Sequence, residues 1–245
     1  MRILVVNPNT SAAMTARIGA AAQEAAAADT MITAVNPSMG PASIEGYYDE
    51  AFAVPGLLEE IAAGERAGCD GAVIACFDDT GLDAARSLAA IPVVGICEAA
   101  LALAALLGTR CSVVTTLSRS IPPLEALARR YGMAERCRIR AAEVPVLALD
   151  DPGSGAVARV RDEIARAIAE DRAECIVLGC AGMADLARTL SREFGLPVVD
   201  GVGAAVKLVE ALVGLGLRTS KRGGYASPLP KPYAGLLGRF APPAA

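Results

Sequence analysis

The chain repeats itself once at long range, and this limits its fold more than any other feature. CDGAVIACFDDTGLDAARSLAAIPVVGI, residues 69 to 96, aligns with AECIVLGCAGMADLARTLSREFGLPVVDG, residues 173 to 201, at an offset of 104 to 105 residues. Cys76 falls on Cys180 and Pro92 on Pro197, and the opening RILVVNPNTS finds a weaker counterpart in CSVVTTLSRS. A solenoid would repeat every ~20 to 50 residues; a period this long predicts two similar halves.

Inside each half, short β-branched runs alternate with alanine-rich segments. Strands are predicted at RILVV (2–6), MITAV (31–35), GAVIA (71–75), IPVVGI (91–96), CSVVTT (111–116), RIRAAEV (138–144), CIVLG (175–179) and LPVVD (196–200). Helical spacing is found over 11–28, 54–67 and 157–171, with NPNTS at 7–11 and GS at 153–154 offering capping side chains. Strands that are apolar throughout and alternate with helices indicate parallel sheets covered on both faces. The expected fold class is α/β: two pseudo-symmetric Rossmann-like domains with parallel sheets and an active site in the cleft between them. Residues 1–97 plus a returning helix within 204–225 make the first half, 98–203 the second, and 226–245 a Pro/Gly-rich tail. Each repeat then carries one cysteine at the carboxyl end of a strand, where open α/β sheets bind ligands.

Several function classes fall away. With a net charge of −4 and no basic stripe interleaved with aromatics, the chain has no footprint for nucleic acid. The longest apolar candidate, Ala99 to Leu107, is far short of the ~18 residues needed to span a membrane. MRILVVNPNT lacks the pattern of a signal peptide, so a cytoplasmic location is the default expectation. Seven cysteines show no disulfide framework, and Cys175 and Cys180 lack C-x-x-C spacing. The chain has no histidine, which excludes Ser-His and Cys-His nucleophile pairs and every His-bearing zinc site. No metal-ligand spacing is present, and strand-end crevices of this kind take small molecules as partners.

Two equivalent thiols facing each other across a cleft suit stereoinversion. One, as thiolate, takes a proton from a carbon beside a carbonyl, and the other, as thiol, returns a proton to the opposite face. A free thiol has a pKa of ~8.5 and needs help to ionise. FDDTGLDAARSL and AGMADLARTL both read as loop into helix, so backbone N–H groups at the helix end are expected to favour the thiolate. Cys69, Cys97, Cys111, Cys137 and Cys175 read as buried small hydrophobes. For Cys76 and Cys180 the duplication, the strand-end position and the missing histidine favour a catalytic role.

VVNPNTS, GPASIEGYYDEA, VIACFDDTGL, PVVGICEAA, SVVTTLSRS, EVPVL, IVLGCAGM and PVVDGVGAAVKL together resemble the aspartate/glutamate racemase superfamily, and within it the hydantoin racemase branch. The likeness covers nearly the whole chain and leaves only the tail after about Tyr225 unmatched. It implies a cofactor-free two-cysteine mechanism, 5-substituted hydantoins as substrates and a homo-oligomer. Amino-acid racemases of that superfamily follow the first cysteine with Asn and Thr and the second with Thr. Here Phe77 and Asp78 follow Cys76, and Ala181 and Gly182 follow Cys180, which disfavours free aspartate or glutamate and suits a neutral ring. By position, Asn9, Thr115 and Thr116 would hold the ring, and Ser43 and Ile44 would belong to the loop over the pocket. Ile44 would touch the C5 substituent, and the amides of Phe77, Ala181 and Gly182 would bind ring oxygens. Competing readings make Asn9 and Thr116 helix caps, Asp78 and Asp79 caps or solvated carboxylates, and Glu45 and Asp49 loop-ordering residues.

Rival functions are separable. A pyridoxal-dependent racemase needs a Schiff-base lysine, yet only Lys207, Lys221 and Lys231 exist, in a helical pattern or the tail. DGVGAAV (200–206) lacks the full nucleotide-loop spacing and reads as a tight turn into a helix. A decarboxylase of the superfamily keeps only one of the two cysteines. A maleate-type cis–trans isomerase keeps both and stays open, as does a non-catalytic thiol-bearing binding protein. The nearest rival is an allantoin racemase, because allantoin is itself a hydantoin with a polar 5-ureido group; Ile44 and Phe77 lean slightly toward an apolar substituent.

Overall fold

The computed structural model describes residues 1–242, so the last three residues of the expected tail lie outside the described residues. The first sheet consists of β1 (Arg2–Val6), β2 (Met31–Val35), β3 (Gly71–Ile74) and β4 (Val93–Gly95), in the order β2-β1-β3-β4. The second consists of β5 (Cys111–Thr115), β6 (Cys137–Ala141), β7 (Cys175–Leu178) and β8 (Val198–Asp200), in the order β6-β5-β7-β8. All pairings are parallel, and the two orders correspond strand for strand. The molecule is an α/β protein of two matching four-stranded sheets.

The helices are α1 (Ala12–Ala25), α2 (Tyr47–Arg66), α3 (Leu82–Leu88), α4 (Ile96–Leu107), α5 (Ile121–Arg130), α6 (Ala156–Asp171), α7 (Ala187–Phe194) and α8 (Gly201–Gly214). Strand alternation divides the core into three layers. Ile3, Val5 and Val73 of the first sheet and Cys111, Val113 and Val177 of the second join one central cluster with residues of α1, α4, α5 and α8. Leu4, Val6, Ala72 and Ile74 face α2 and α3, and Val114, Ile176 and Leu178 face α6 and α7. A fully buried branched side chain contributes about 1.5–3 kcal/mol, and the central layer draws on both sheets. The same apolar surface therefore stabilises each half and their docking.

Local signals act where the sequence placed them. Ser11 caps α1 by accepting from the Met14 N–H at 3.3 Å, and Asp200 caps α8 by accepting from Gly203 at 2.9 Å. The DGVGAAV segment is thus a strand-to-helix turn, and α8 returns to β3 and β4 of the first sheet. Ser154 Oγ accepts from the Ala156 N–H at 3.1 Å as α6 begins. One helix starts earlier than its pattern predicts. α2 begins at Tyr47 and carries Pro55 in its interior, where a missing N–H costs one helical bond and mimics a helix start. The segment after α8 lies back along the first half: Thr219 Oγ1 donates to the Ile91 carbonyl at 2.7 Å and Lys221 Nζ to that of Arg86 at 2.6 Å. No helix among the described residues is long and apolar enough to cross a membrane.

Candidate active site

In both sheets the chain order reverses beside the first strand, and such a switch point opens a crevice at the carboxyl ends of the strands. Both crevices contribute to one cavity, partly open to solvent. Asn7, Pro8 and Asn9 follow β1; Ala75, Cys76, Phe77 and Asp78 follow β3. Thr115 ends β5 and Thr116 follows it, while Gly179, Cys180 and Ala181 follow β7. Met14 of α1, Ile44, Ser120 and Val146 complete the lining. Of the residues singled out from sequence, the cavity gathers Cys76, Cys180, Asn9, Ile44, Phe77, Thr115, Thr116 and Ala181. Ser43 and Gly182 are not among its lining residues.

The two cysteines are half-buried and face this one space, whereas the other five are buried elsewhere. The expected help from a helix end does not materialise at Cys76, because α3 starts only at Leu82, beyond a left-handed Gly81. Instead, Thr80 Oγ1 donates to the Cys76 sulfur at 3.3 Å, and the Asp78 N–H donates as well. These donors favour the thiolate, but burial outweighs them and the Asp78 charge adds to it, so the Cys76 thiol is pushed well above its ordinary range. Cys180 also raises it, which places the two sulfurs within electrostatic reach of each other.

The two aspartates after Cys76 have different jobs. Asp79 is buried in a left-handed conformation and accepts from the N–H groups of Cys97 and Glu98 at 3.0 and 2.9 Å, and from the Tyr131 hydroxyl at 2.7 Å. It caps the first turn of α4, as the cap reading expects; burial still pushes its carboxyl up to about 7. Gly95 makes room for it, since a Cβ there would lie 2.1 Å from its Oδ1. Asp78 stands in the cavity wall, and burial, then Glu50, then Asp79 push it up to about 7.

Neutral side chains fix the remaining walls. Asn9 Oδ1 accepts from Asn7 Nδ2 at 2.8 Å and from the Ser11 N–H at 2.9 Å, so Asn9 braces the loop while Ser11 does the capping. Thr115 Oγ1 donates to the Gly179 carbonyl at 3.1 Å. Gly179 admits this approach, because a Cβ there would sit 2.9 Å from that of Thr115. Thr116 caps neither the turn at Ser118–Ser120 nor α5, both of which lack a side-chain cap. The loop over the cavity is ordered by its acids: Asp49 Oδ2 accepts from the Glu45 N–H at 3.0 Å, and Glu45 Oε1 from that of Val146, across the halves, at 3.0 Å. Among the described residues no group of three or more Cys, Asp or Glu is arranged to hold a metal ion.

The family model described as Asp/Glu/Hydantoin racemase matches residues 3–209. The chain belongs to this family. It is 51% identical over 242 residues to a hydantoin racemase of Pseudomonas sp. (strain NS671), covering 98% of this chain and 97% of that one. It is also 51% identical to a hydantoin racemase of Rhizobium meliloti, covering 96% and 98%. The solved structure of an allantoin racemase from Klebsiella pneumoniae superposes with a TM-score of 0.96 at 52% identity, covering 99% of each chain. The protein is thus an isomerase, a racemase, and the cavity between its sheets is the candidate place for the reaction.

Several lining residues escaped the sequence reading. Asn7, Pro8, Ser120 and Val146 lie inside motifs that carried the family likeness; Asn7 and Pro8 directly follow β1, whereas Ser120 and Val146 lie in the short turns beyond β5 and β6. Met14 sits on α1 at ordinary core spacing and gave no signal.

Proposed function

We propose that this racemase inverts 5-monosubstituted hydantoins at C5, passing the proton between Cys76 and Cys180 without a cofactor. The observation that carries the reading is that the two cysteines paired by the internal repeat border one cavity from opposite halves. One sulfur, as thiolate, takes the C5 proton, and the C–H electron pair delocalises into the adjacent ring carbonyl. The other sulfur, as thiol, delivers its proton to the opposite face, so C5 is inverted and the thiol and thiolate exchange places. Burial and Asp78 favour the protonated form of Cys76, which suits it to the donor role in one direction of the reaction. In this reading the N–H groups of Phe77 and Ala181 receive charge on ring oxygens, and Ile44, Val146 and Phe77, all of which line the cavity, form an apolar wall for the C5 substituent.

Two relatives named hydantoin racemase support this substrate class. A second reading, the 5-ureido hydantoin allantoin, is favoured by the Klebsiella pneumoniae structure and by Asp78, a carboxyl in the wall able to accept from a ureido N–H. Polarimetry on benzyl, isobutyl and ureido hydantoins with the wild type, Cys76→Ser and Cys180→Ser tests both levels. Each variant is expected to lose inversion while still exchanging the C5 proton of one enantiomer with deuterated water. Normal racemisation by either variant overturns the two-base assignment, and turnover confined to the ureido compound selects the second reading.

A further inference from the structure

Helix α1 belongs to the first half, yet Arg17 on its surface reaches into the second. Its Nη2 donates to the Gly182 carbonyl at 2.8 Å, and its Nη1 donates to the Leu149 carbonyl at 3.0 Å. A third contact, to Asp185 Oδ1 at 3.4 Å, involves a carboxylate that is 57% exposed and adds little. The two carbonyl bonds are charge-assisted and directional, and a planar guanidinium meets both acceptors without changing conformation. Gly182 lies two residues after Cys180 in the short turn Ala181–Leu186. A Cβ built on Gly182 would be 3.2 Å from Leu149 Cδ1 and 3.7 Å from the Cys180 sulfur. The sulfur, the Gly182 backbone and Leu149 thus pack as one unit, and Arg17 holds that unit by both of its carbonyls. Arg17 is also one helical turn beyond Met14, which lines the cavity, on a helix whose Ser11 cap is tied to Asn9.

We propose that Arg17 is a positioning residue for Cys180, one that sets the place of this sulfur against the first-half wall and so governs one of the two proton transfers and not the other. The Cys76 turn is held by different means: Thr80 on the sulfur, and Asp79 on the start of α4. A general inter-half staple would affect both sulfurs alike, whereas a Cys180 brace is selective. The inference rests on the two-cysteine reading above, and it adds a residue that acts through the backbone of the turn carrying Cys180.

The test uses single-cysteine backgrounds and 5-benzylhydantoin as the probe, following C5 deuterium uptake from each pure enantiomer by NMR, with thermal melts on every variant. In Cys76→Ser, where only Cys180 exchanges the proton, adding Arg17→Ala is expected to slow uptake about a hundredfold, the effect of displacing a reacting group by about 1 Å. In Cys180→Ser, where only Cys76 acts, adding Arg17→Ala is expected to leave uptake unchanged. Arg17→Lys keeps the charge but not the fork, and is expected to lose about tenfold in the first background alone, as for one charge-assisted bond. If Arg17→Ala does not fold, the lysine variant decides on the same criterion. Equal losses in both backgrounds, or none in either, overturn the proposal. Single-cysteine variants that exchange both enantiomers equally overturn the two-cysteine reading itself, and the Arg17 inference with it.

Discussion

Gly179→Ala isolates the demand that the second sheet makes at the end that borders the cavity. The residue has no positive φ, so alanine suits its backbone and the question is purely one of space. The added Cβ would stand 2.9 Å from Thr115 Cβ, 2.9 Å from Val113 Cγ1 and 3.0 Å from Thr115 Cα, where ordinary contact begins at 3.4 Å. Two of these atoms belong to side chains on a buried strand and the third is backbone, so β5 and the end of β7 must part by about half an ångström. Overpacking of this kind costs about 1–3 kcal/mol, which in a chain of this size lowers the melting temperature by roughly 2–12 °C. The bond from Thr115 to the Gly179 carbonyl would stretch, and Cys180, the next residue, would move with it. A displacement approaching 1 Å costs up to about a hundredfold in turnover. The assay is racemisation followed by polarimetry, beside a thermal melt. A variant that melts with the wild type and turns over at the same rate would refute the argument that β5 and β7 are in contact here. Ala75 holds the corresponding position in the first half, so a Cβ is tolerated at such a strand end when no Thr115 stands opposite.

Asp78 and Asp79 make stability depend on pH with a definite sign. Each has a folded pKa raised to about 7, well above its unfolded value of about 3.9, so the folded state holds extra protons between these limits. Stability is expected to fall as pH rises through that window, and Asp78→Asn should raise the denaturation midpoint more at about pH 8 than at about pH 5; an equal shift at both would remove Asp78 from the account. Thr80→Val deletes a donor to the Cys76 sulfur at near-constant shape, so its thiol should rise further and react about fivefold more slowly with iodoacetamide, as for one hydrogen bond. Site-resolved mass spectrometry reads that rate, and unchanged labelling would mean that the hydroxyl does not hold the sulfur.

Most strands were legible as short β-branched runs set between helical segments, and all eight appear within a few residues of their predicted places. The meeting of Cys76 and Cys180 at one cavity was legible from the repeat, since equal topology puts equal positions at equal strand ends. What stayed hidden depends on contacts between distant segments. Arg17 reads as a solvated helix residue until Leu149 and Gly182 arrive beneath it. The start of α2 was obscured by Pro55 and by Tyr47, Tyr48 and Phe52, whose exposure breaks the apolar stripe that marks a helix in sequence. The state of Cys76 was misjudged for a related reason: local donors can be read from a motif, whereas desolvation is a property of the assembled core.

The correspondence of the two strand orders carries a kinetic consequence. Mirror-image molecules have equal free energies in water, so a racemase must show the same specificity constant for its left- and right-handed substrates, however unlike its two walls become. Phe77 facing one side and Ala181 the other, or alanine before one cysteine and glycine before its twin, can shift turnover and half-saturation only in step. The internal repeat makes the two walls nearly equivalent, and microscopic reversibility keeps the balance wherever they differ.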